Sequence, residues 1–188
     1  RWLVGMVACA IDDNVQNHQL MLLHGAQGKG KSTFIRHLLP PELKDYYRNG
    51  MIIPENNNHL LQLSSCLLIN LDEFDTLSPE RMQNLKSLIT QDVVNERKVY
   101  DIQNYTYIRR ASFIASTNNP HCMPDVKENR RILFSTLLNI DYHTPVNHEG
   151  IYAQAYALYR QGFQYWYENE EITFLNNRND CLLYTSPS

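Results

Sequence analysis

Cysteine is scarce in this 188-residue chain, and its four copies are scattered. No two of them form a Cys-x-x-Cys pair, which argues against a zinc site or a disulfide framework and favours a reducing compartment. The net charge is -3, so no global basic field indicates nucleic-acid binding, which would need a local patch. No apolar run is long enough to span a membrane, and no signal peptide is recognisable. We therefore expect a cytoplasmic protein with no membrane partner.

The most informative motif is the run GAQGKGKS at residues 25–32, which fits the phosphate-binding pattern G-x-x-x-x-G-K-[ST]. A strand-like segment, 19–24, precedes it, and a helical segment, 33–39, follows. Glycines allow backbone N–H groups to curl around an anion, while Lys31 supplies charge for the β- and γ-phosphates and Ser32 a hydroxyl for magnesium. A chance glycine-rich turn is the alternative. We predict a site for ATP and Mg²⁺ made by Gly25, Gly28, Lys29, Gly30, Lys31, Ser32 and Thr33.

A second apolar strand, 66–71, ends in an acidic pair, Asp72 and Glu73. Asp72 is the expected partner of the phosphate loop and would hold the magnesium, usually through a water. Glu73 is placed to polarise an attacking water. A kinase has no need to activate water, so this pair favours ATP hydrolysis; an ordinary acidic loop is the alternative.

Two further groups complete the predicted catalytic set. A third strand, 111–117, leads into Asn118, whose amide could hydrogen-bond the γ-phosphate and the lytic water. Arg130 and Arg131 precede a fourth strand, and at least one of them is a candidate arginine finger. A finger that acts across a subunit boundary requires an oligomer. An Asn-rich turn and two surface arginines are the plain alternatives.

The segment 93–110 alternates like β-structure and predicts a hairpin or two short strands. Its basic residues are interleaved with tyrosines, a pattern that can follow a phosphate backbone and stack on bases. An exposed hairpin with solvated charges explains the pattern equally well. The candidate nucleic-acid residues are Arg97, Lys98, Arg109 and Arg110.

Strands alternate with helical segments along the rest of the chain, which predicts an α/β layered domain with a covered sheet. We assign residues 1–175 to this P-loop ATPase domain. The first residues are already helical and no initiator Met precedes Arg1, so a fragment of a longer protein is expected. Residues 181–188 break with the preceding pattern and suggest a non-native tail.

The ordered set of motifs resembles the virulence-associated E (VirE-like) ATPase domain, which is related to superfamily III helicases and to primase-helicases of phages and mobile elements. The resemblance implies a three-layer P-loop NTPase of the AAA+ type, with a mostly parallel sheet and an inserted β-hairpin. It also implies that the Asn118 strand lies between the P-loop strand and the Asp72 strand. The matching stretches are 25–32, 67–73, 85–90, 97–100, 116–118 and 129–131.

The same resemblance implies a homo-oligomer, a hexameric ring, with the hairpin facing DNA in the central pore. The expected function is an ATP-driven DNA motor, a helicase, in replication of a phage, plasmid or integrated element, in a bacterial or phage-encoded protein. Two alternatives remain open at this point. One is a P-loop kinase of a small metabolite, and the other is a non-motor nucleotide switch that controls assembly.

Overall fold

The computed structural model describes residues 1–53, 56–71, 74–97, 104–119, 122 and 131–175. Side chains are not described at residues 57, 58, 76, 95–97 and 104. The predicted tail, 181–188, lies outside these residues. Within the described ranges, no helix combines the length and apolarity needed to cross a membrane.

In the part of the chain that the structure describes, seven strands form two sheets. The strands are β1 (Leu20–His24), β2 (Tyr47–Asn49), β3 (Leu68–Leu71), β4 (Val93–Arg97), β5 (Asn104–Ile108), β6 (Ser112–Thr117) and β7 (Ile132–Thr136). The central sheet has the order β2-β3-β6-β1-β7, and every neighbouring pair is parallel. β4 and β5 form the predicted antiparallel hairpin, inserted before β6. The carboxyl ends of all five central strands therefore meet at one edge, which we call the carboxyl edge.

Five α-helices lie wholly within the described residues. They are α1 (Trp2–Ile11), α2 (Lys31–His37), α3 (Asn57–Ser65), α4 (Pro79–Thr90) and α5 (His148–Arg160). Local sequence explains several of their ends. The Ser78 side chain accepts a hydrogen bond from Arg81 N at the start of α4, and Pro79 occupies the first helical position. Asn147 caps α5 by accepting from Gly150 N.

Both faces of the central sheet are covered, because alternate residues of the strands point to opposite layers. On one face, Leu22, Ile69 and Phe113 pack with Leu63 of α3 and Leu88 of α4. On the other face, α1 and α2 cover the sheet with an apolar cluster that also includes strand residues; its members include Trp2, Met6, Leu23, Ile35, Leu68 and Ile114. The protein is thus an α/β fold with helices on both sides of a parallel sheet.

The strand order confirms the expectation that the Asn118 strand is inserted between the P-loop strand and the Asp72 strand. β6 pairs with β1 through Leu22 and Ala115, and with β3 through Asn70 and Ile114. The edge strand β2 was not predicted, since it lies in a polar stretch with no visible alternation. It follows a 3-10 helix, Pro41–Tyr46, and pairs with β3.

Candidate functional site

The phosphate loop lies at the carboxyl edge, between β1 and α2. Gly28 and Gly30 both have φ of 77°, a left-handed conformation that favours glycine. Gly25 is required for a different reason, because a Cβ there would lie 2.9 Å from the Leu137 carbonyl oxygen. The spacing of glycines in the motif is therefore explained by backbone conformation at two positions and by close approach at the third.

Lys31 is the first residue of α2 and is almost fully buried, with 7% of its surface exposed. Its ammonium donates to the carbonyl oxygens of Gly25, at 2.5 Å, and Ala26, at 2.9 Å. It also donates to Asn118 Oδ1 at 2.7 Å. The loop thus wraps around its own lysine, and the third bond joins the loop to the end of β6.

Asp75 is a further member of this cluster. It lies in a short 3-10 turn, Phe74–Thr76, that follows the acidic end of β3. One carboxylate oxygen accepts from the Thr117 hydroxyl, and the other accepts from Asn118 N at 3.3 Å. Asp75 therefore contacts the backbone of Asn118, whereas Lys31 contacts its side chain.

Burial and charge perturb two titratable groups here. Burial lowers the pKa of Lys31, while the Asp75 carboxylate opposes that change. Burial also lowers the pKa of His24, and the nearby Lys31 ammonium lowers it further, against a raising effect of Asp75. His24 ends β1, stacks on Phe134 at 5.5 Å, and its Nδ1 is buried without a partner among the described residues. These shifts show that Lys31, His24 and Asp75 share one electrostatic environment.

A cavity of about 360 Å³ opens beside the loop. Residues 27–33 line it, together with Ser116, Asn118 and Tyr142. Lys29, Ser32 and Thr33 are exposed in this region, and Gly30 is half-buried. The volume is in the range of small-molecule sites. The loop residues predicted to bind the nucleotide are thus gathered around one open cavity.

The predicted magnesium site is described only in part. Ser32 lies in the first turn of α2 with an exposed side chain, but Asp72 and the predicted base Glu73 lie outside the described residues. Their neighbours are described: Leu71 ends β3 beside Ala115 of β6, and Phe74 begins the turn that carries Asp75. Among the described residues, no group of three histidine, cysteine, aspartate or glutamate side chains could hold a metal ion.

Arg131 lies at the opposite edge of the sheet from the phosphate loop. Its carbonyl accepts from Leu20 N at 2.8 Å, at the start of β1, whereas the loop begins after His24. At about 3.3 Å per residue, β1 separates the two by on the order of 13 Å. Arg131 lines a second cavity, of about 490 Å³, at that edge. Arg130, the other candidate finger, lies outside the described residues.

Of the four predicted nucleic-acid residues, two have side chains that the structure describes, Arg109 and Arg110. Arg97 pairs with Asn104 through the backbone, while its side chain and all of Lys98 lie outside what is described. Tyr105 and Tyr107 lie on one side of β5 with ring centroids 6.5 Å apart. The described part of the hairpin therefore offers a pair of half-buried aromatic rings.

The structure contradicts the prediction that Arg109 contacts a nucleic acid. Arg109 is fully buried, at 0% exposure, and cannot contact a nucleic acid in this fold. Its guanidinium donates to four backbone carbonyls, those of Gln91 at 2.6 Å, Ala111 at 2.6 Å, Asn17 at 3.2 Å and Ile89 at 3.2 Å. Burial lowers the pKa of this guanidinium. Arg109 is a structural residue at the base of the hairpin.

Arg110 is also engaged within the fold. Its guanidinium forms an ion pair with Asp13 and donates to the Cys9 carbonyl at 3.3 Å. These contacts hold it near the end of α1. Its side chain remains partly exposed, so its assignment to the nucleic-acid surface stays a prediction.

Sequence reasoning missed three residues that the structure places at the carboxyl edge: Asp75, His24 and Tyr142. Asp75 was visible in the acidic run 72–75, but nothing in the run distinguishes it from its neighbours. His24 ends the strand before the loop, a position that could have been noticed. Tyr142 lies more than a hundred residues from the loop, so no local pattern could have found it.

Comparison with known protein families assigns the chain to one of them. A family model for the virulence-associated protein E-like domain matches residues 1–182. The chain therefore belongs to the virulence-associated protein E-like family, which confirms the resemblance at the level of the family. No curated protein matches it.

Solved structures with a similar fold include two apo forms of the NrS-1 C-terminal region. One, of residues 305–718, has a TM-score of 0.55 at 16% identity and covers 100% of this chain and 47% of that chain. The other, an A form, has a TM-score of 0.51 at 16% identity and covers 95% of this chain and 38% of that chain. The chain thus spans less than half the length of these structures, and the likeness is one of fold.

Proposed function

We propose that this domain is an ATP-hydrolysing motor that acts on DNA during replication of a phage, plasmid or integrated element. The observation that carries the proposal is the contact between Lys31 and Asn118 at the carboxyl edge. It joins a phosphate-loop lysine to a polar residue at the tip of the adjacent strand. Family membership and the fold it shares with the NrS-1 C-terminal region support a role in replication.

The geometry fits a triphosphate. The Lys31 ammonium is held by two neutral carbonyls and an amide oxygen, all of which an anionic phosphate oxygen can outcompete. The left-handed glycines allow the loop to turn back on itself beside an open cavity. In ordinary open parallel sheets, ligands bind at this same edge.

In the proposed reaction, Lys31 stabilises charge on the β- and γ-phosphates, and Asn118 orients the lytic water beside the γ-phosphate. Glu73 takes up the proton of that water. Magnesium, held by Ser32 and Asp72, would neutralise charge on the phosphate oxygens when bound. Asp75 positions the backbone of Asn118, and its negative charge favours the protonated form of Lys31.

The decisive variant is Lys31→Ala, with Lys44→Ala as a charge-matched control. Lys44 is exposed in the 3-10 helix Pro41–Tyr46, and it is not among the described residues that line the cavity beside the loop. We expect the Lys31 variant to lose ATP hydrolysis by a factor of about 10² or more, because it removes the main charge that faces the phosphates. Phosphate release at saturating ATP is the measurement. Equal rates in the two variants would contradict the site.

The same assay, repeated with single-stranded DNA, separates the motor from its alternatives. Stimulation of phosphate release by DNA supports a motor. Transfer of phosphate to a metabolite would identify a kinase instead. Tight ATP binding without turnover would identify a nucleotide switch.

A further inference from the structure

Tyr142 reaches the phosphate loop from a distant part of the chain. It lies in the segment between β7 and α5 and lines the cavity beside the loop. Its ring lies directly against Gly30, where a Cβ would overlap the ring atoms. Gly30 therefore has two reasons to be glycine: its left-handed φ and the aromatic ring that covers it.

The segment that carries Tyr142 is anchored on both sides. At its start, Leu137 N donates to the His24 carbonyl at 2.8 Å. At its centre, the Asp141 carboxylate accepts from His143 N at 3.1 Å and from the Thr144 hydroxyl at 2.6 Å. The ring is thus held in place by a tight turn and by the end of the P-loop strand.

The segment is also tied to the far end of α2. The His148 ring contacts the His37 carbonyl at 2.7 Å, and the Tyr152 hydroxyl donates to the Leu38 carbonyl at 3.1 Å. The loop, α2 and the Tyr142 segment therefore form one connected unit.

Tyr142 does not stand alone. The His143 ring lies 4.2 Å from it between centroids, at an angle of 36°. The two rings form what we call the aromatic ledge, with Tyr142 half-buried and His143 exposed. The rest of the described cavity lining is glycine, polar or charged. Of the two rings, Tyr142 lines the cavity, and its ring is the apolar, flat part of a lining that otherwise suits phosphate.

From this division we infer that the aromatic ledge is the nucleobase-binding wall of the site, with Tyr142 as the residue that contacts the base. The inference rests on the proposed ATP site, and it assigns a binding surface to the nucleobase, which the phosphate loop would not contact. A nucleobase has a π-face and little charge, so it gains most from an aromatic neighbour. The phosphates remain on Lys31 and the loop.

Tyr142→Ala tests the inference when ATP is compared with inorganic tripolyphosphate, which has the phosphates but no base. We expect the variant to weaken ATP binding about tenfold, within the range measured for stacking on one aromatic side chain. Its affinity for tripolyphosphate should stay within about twofold of the parent. Titration calorimetry with magnesium present measures both constants.

Two matched variants exclude a folding artefact. Tyr142→Phe keeps the ring and should bind ATP like the parent, while Tyr142→Leu keeps apolar bulk against Gly30 and should behave like Tyr142→Ala. Unchanged ATP affinity in the Ala and Leu variants would overturn the inference. So would an equal loss for ATP and tripolyphosphate, because the ring would then serve only to shape the phosphate loop.

The outcome also distinguishes this inference from the function on which it rests. If the parent binds neither ATP nor tripolyphosphate, the proposed nucleotide site is wrong, and the nucleobase-binding role of Tyr142 is wrong with it. If the parent binds both ligands and the variants match it, only the role of the ledge is wrong.

Discussion

Arg109 shows how a single charged residue can organise three parts of the fold. Its guanidinium holds the carbonyls of Asn17 before β1, Ile89 and Gln91 at the end of α4, and Ala111 before β6. No carboxylate pairs with it in the contacts described; four oxygen acceptors from backbone share its charge instead. A guanidinium suits this role, because its five donors are arranged in a rigid, planar fork.

Arg109→Met should therefore lower the free energy of unfolding by about 3 kcal/mol or more. Several buried carbonyls would lose their donor at once, and each such loss costs about 1–3 kcal/mol. Urea denaturation followed by far-UV circular dichroism measures the change. The adjacent Arg110→Met is the control, and its partly exposed ion pair should cost about 1 kcal/mol or less. Equal, small losses in both variants would show that Arg109 is not a structural anchor.

The burial of Arg109 could not be read from the sequence. In the segment 93–110 it is one of several basic residues among tyrosines, and its neighbour Arg110 has the same local pattern. What separates it from a DNA-facing residue is the convergence of carbonyls from three separate segments, which is a tertiary property. Lys31 differs, because the motif itself fixes its place on the loop.

At the scale of elements, the strongest patterns predicted their structures well. The nearly continuous apolar segment 66–71 was predicted to be a strand, and its residues 68–71 form β3. The segment 93–110 was predicted to form a hairpin or two short strands, and β4 and β5 pair as a hairpin there. The strand order was predicted through the family resemblance, since the sequence alone does not state which strands pair. β2 was missed because three residues at the edge of a sheet, half-buried or exposed, carry no periodic signal.

The hairpin β4–β5 is the element expected to meet DNA. Arg97→Ala combined with Lys98→Ala should weaken single-stranded DNA binding and reduce the slope of log affinity against log salt by about one to two, because each phosphate contact contributes about 0.7. Fluorescence anisotropy across a salt series measures both quantities. Basal ATP hydrolysis should stay near the parental rate, since the hairpin lies outside the phosphate loop.

The double variant Lys44→Ala and Arg160→Ala removes the same charge from exposed positions on other elements. It should keep the parental salt slope. A parent protein whose DNA affinity does not change with salt would discard the hairpin as a phosphate-binding element.

At the scale of the whole molecule, the parallel sheet separates two of the predicted catalytic groups in space. The phosphate loop lies at the carboxyl edge, and Arg131 lies at the amino edge. In the proposed ATPase, each subunit would therefore hold the Arg131 backbone on the order of 13 Å from its own phosphate loop. If Arg131 is the finger, it acts on the nucleotide of a neighbouring subunit, and head-to-tail contacts between subunits follow.

Mixing subunits tests this arrangement. Lys31→Ala and Arg131→Ala proteins should each hydrolyse ATP poorly alone, whereas an equal mixture should recover up to about a quarter of the parental rate. That fraction follows because a random head-to-tail assembly pairs an intact Lys31 with an intact Arg131 at about one interface in four. A mixture no faster than its components would contradict a finger at Arg131 acting in trans.

The position of Arg109 also bears on how force could pass through the protein. Hairpin strand β5 and the central strand β6 are consecutive, and Arg109 anchors the short link between them to the core. Movement of the hairpin toward or away from Asn118 would therefore break several hydrogen bonds of the Arg109 guanidinium. In the proposed motor, mechanical work on bound DNA would then come from whole subunits tilting against one another, with each hairpin moving together with its subunit.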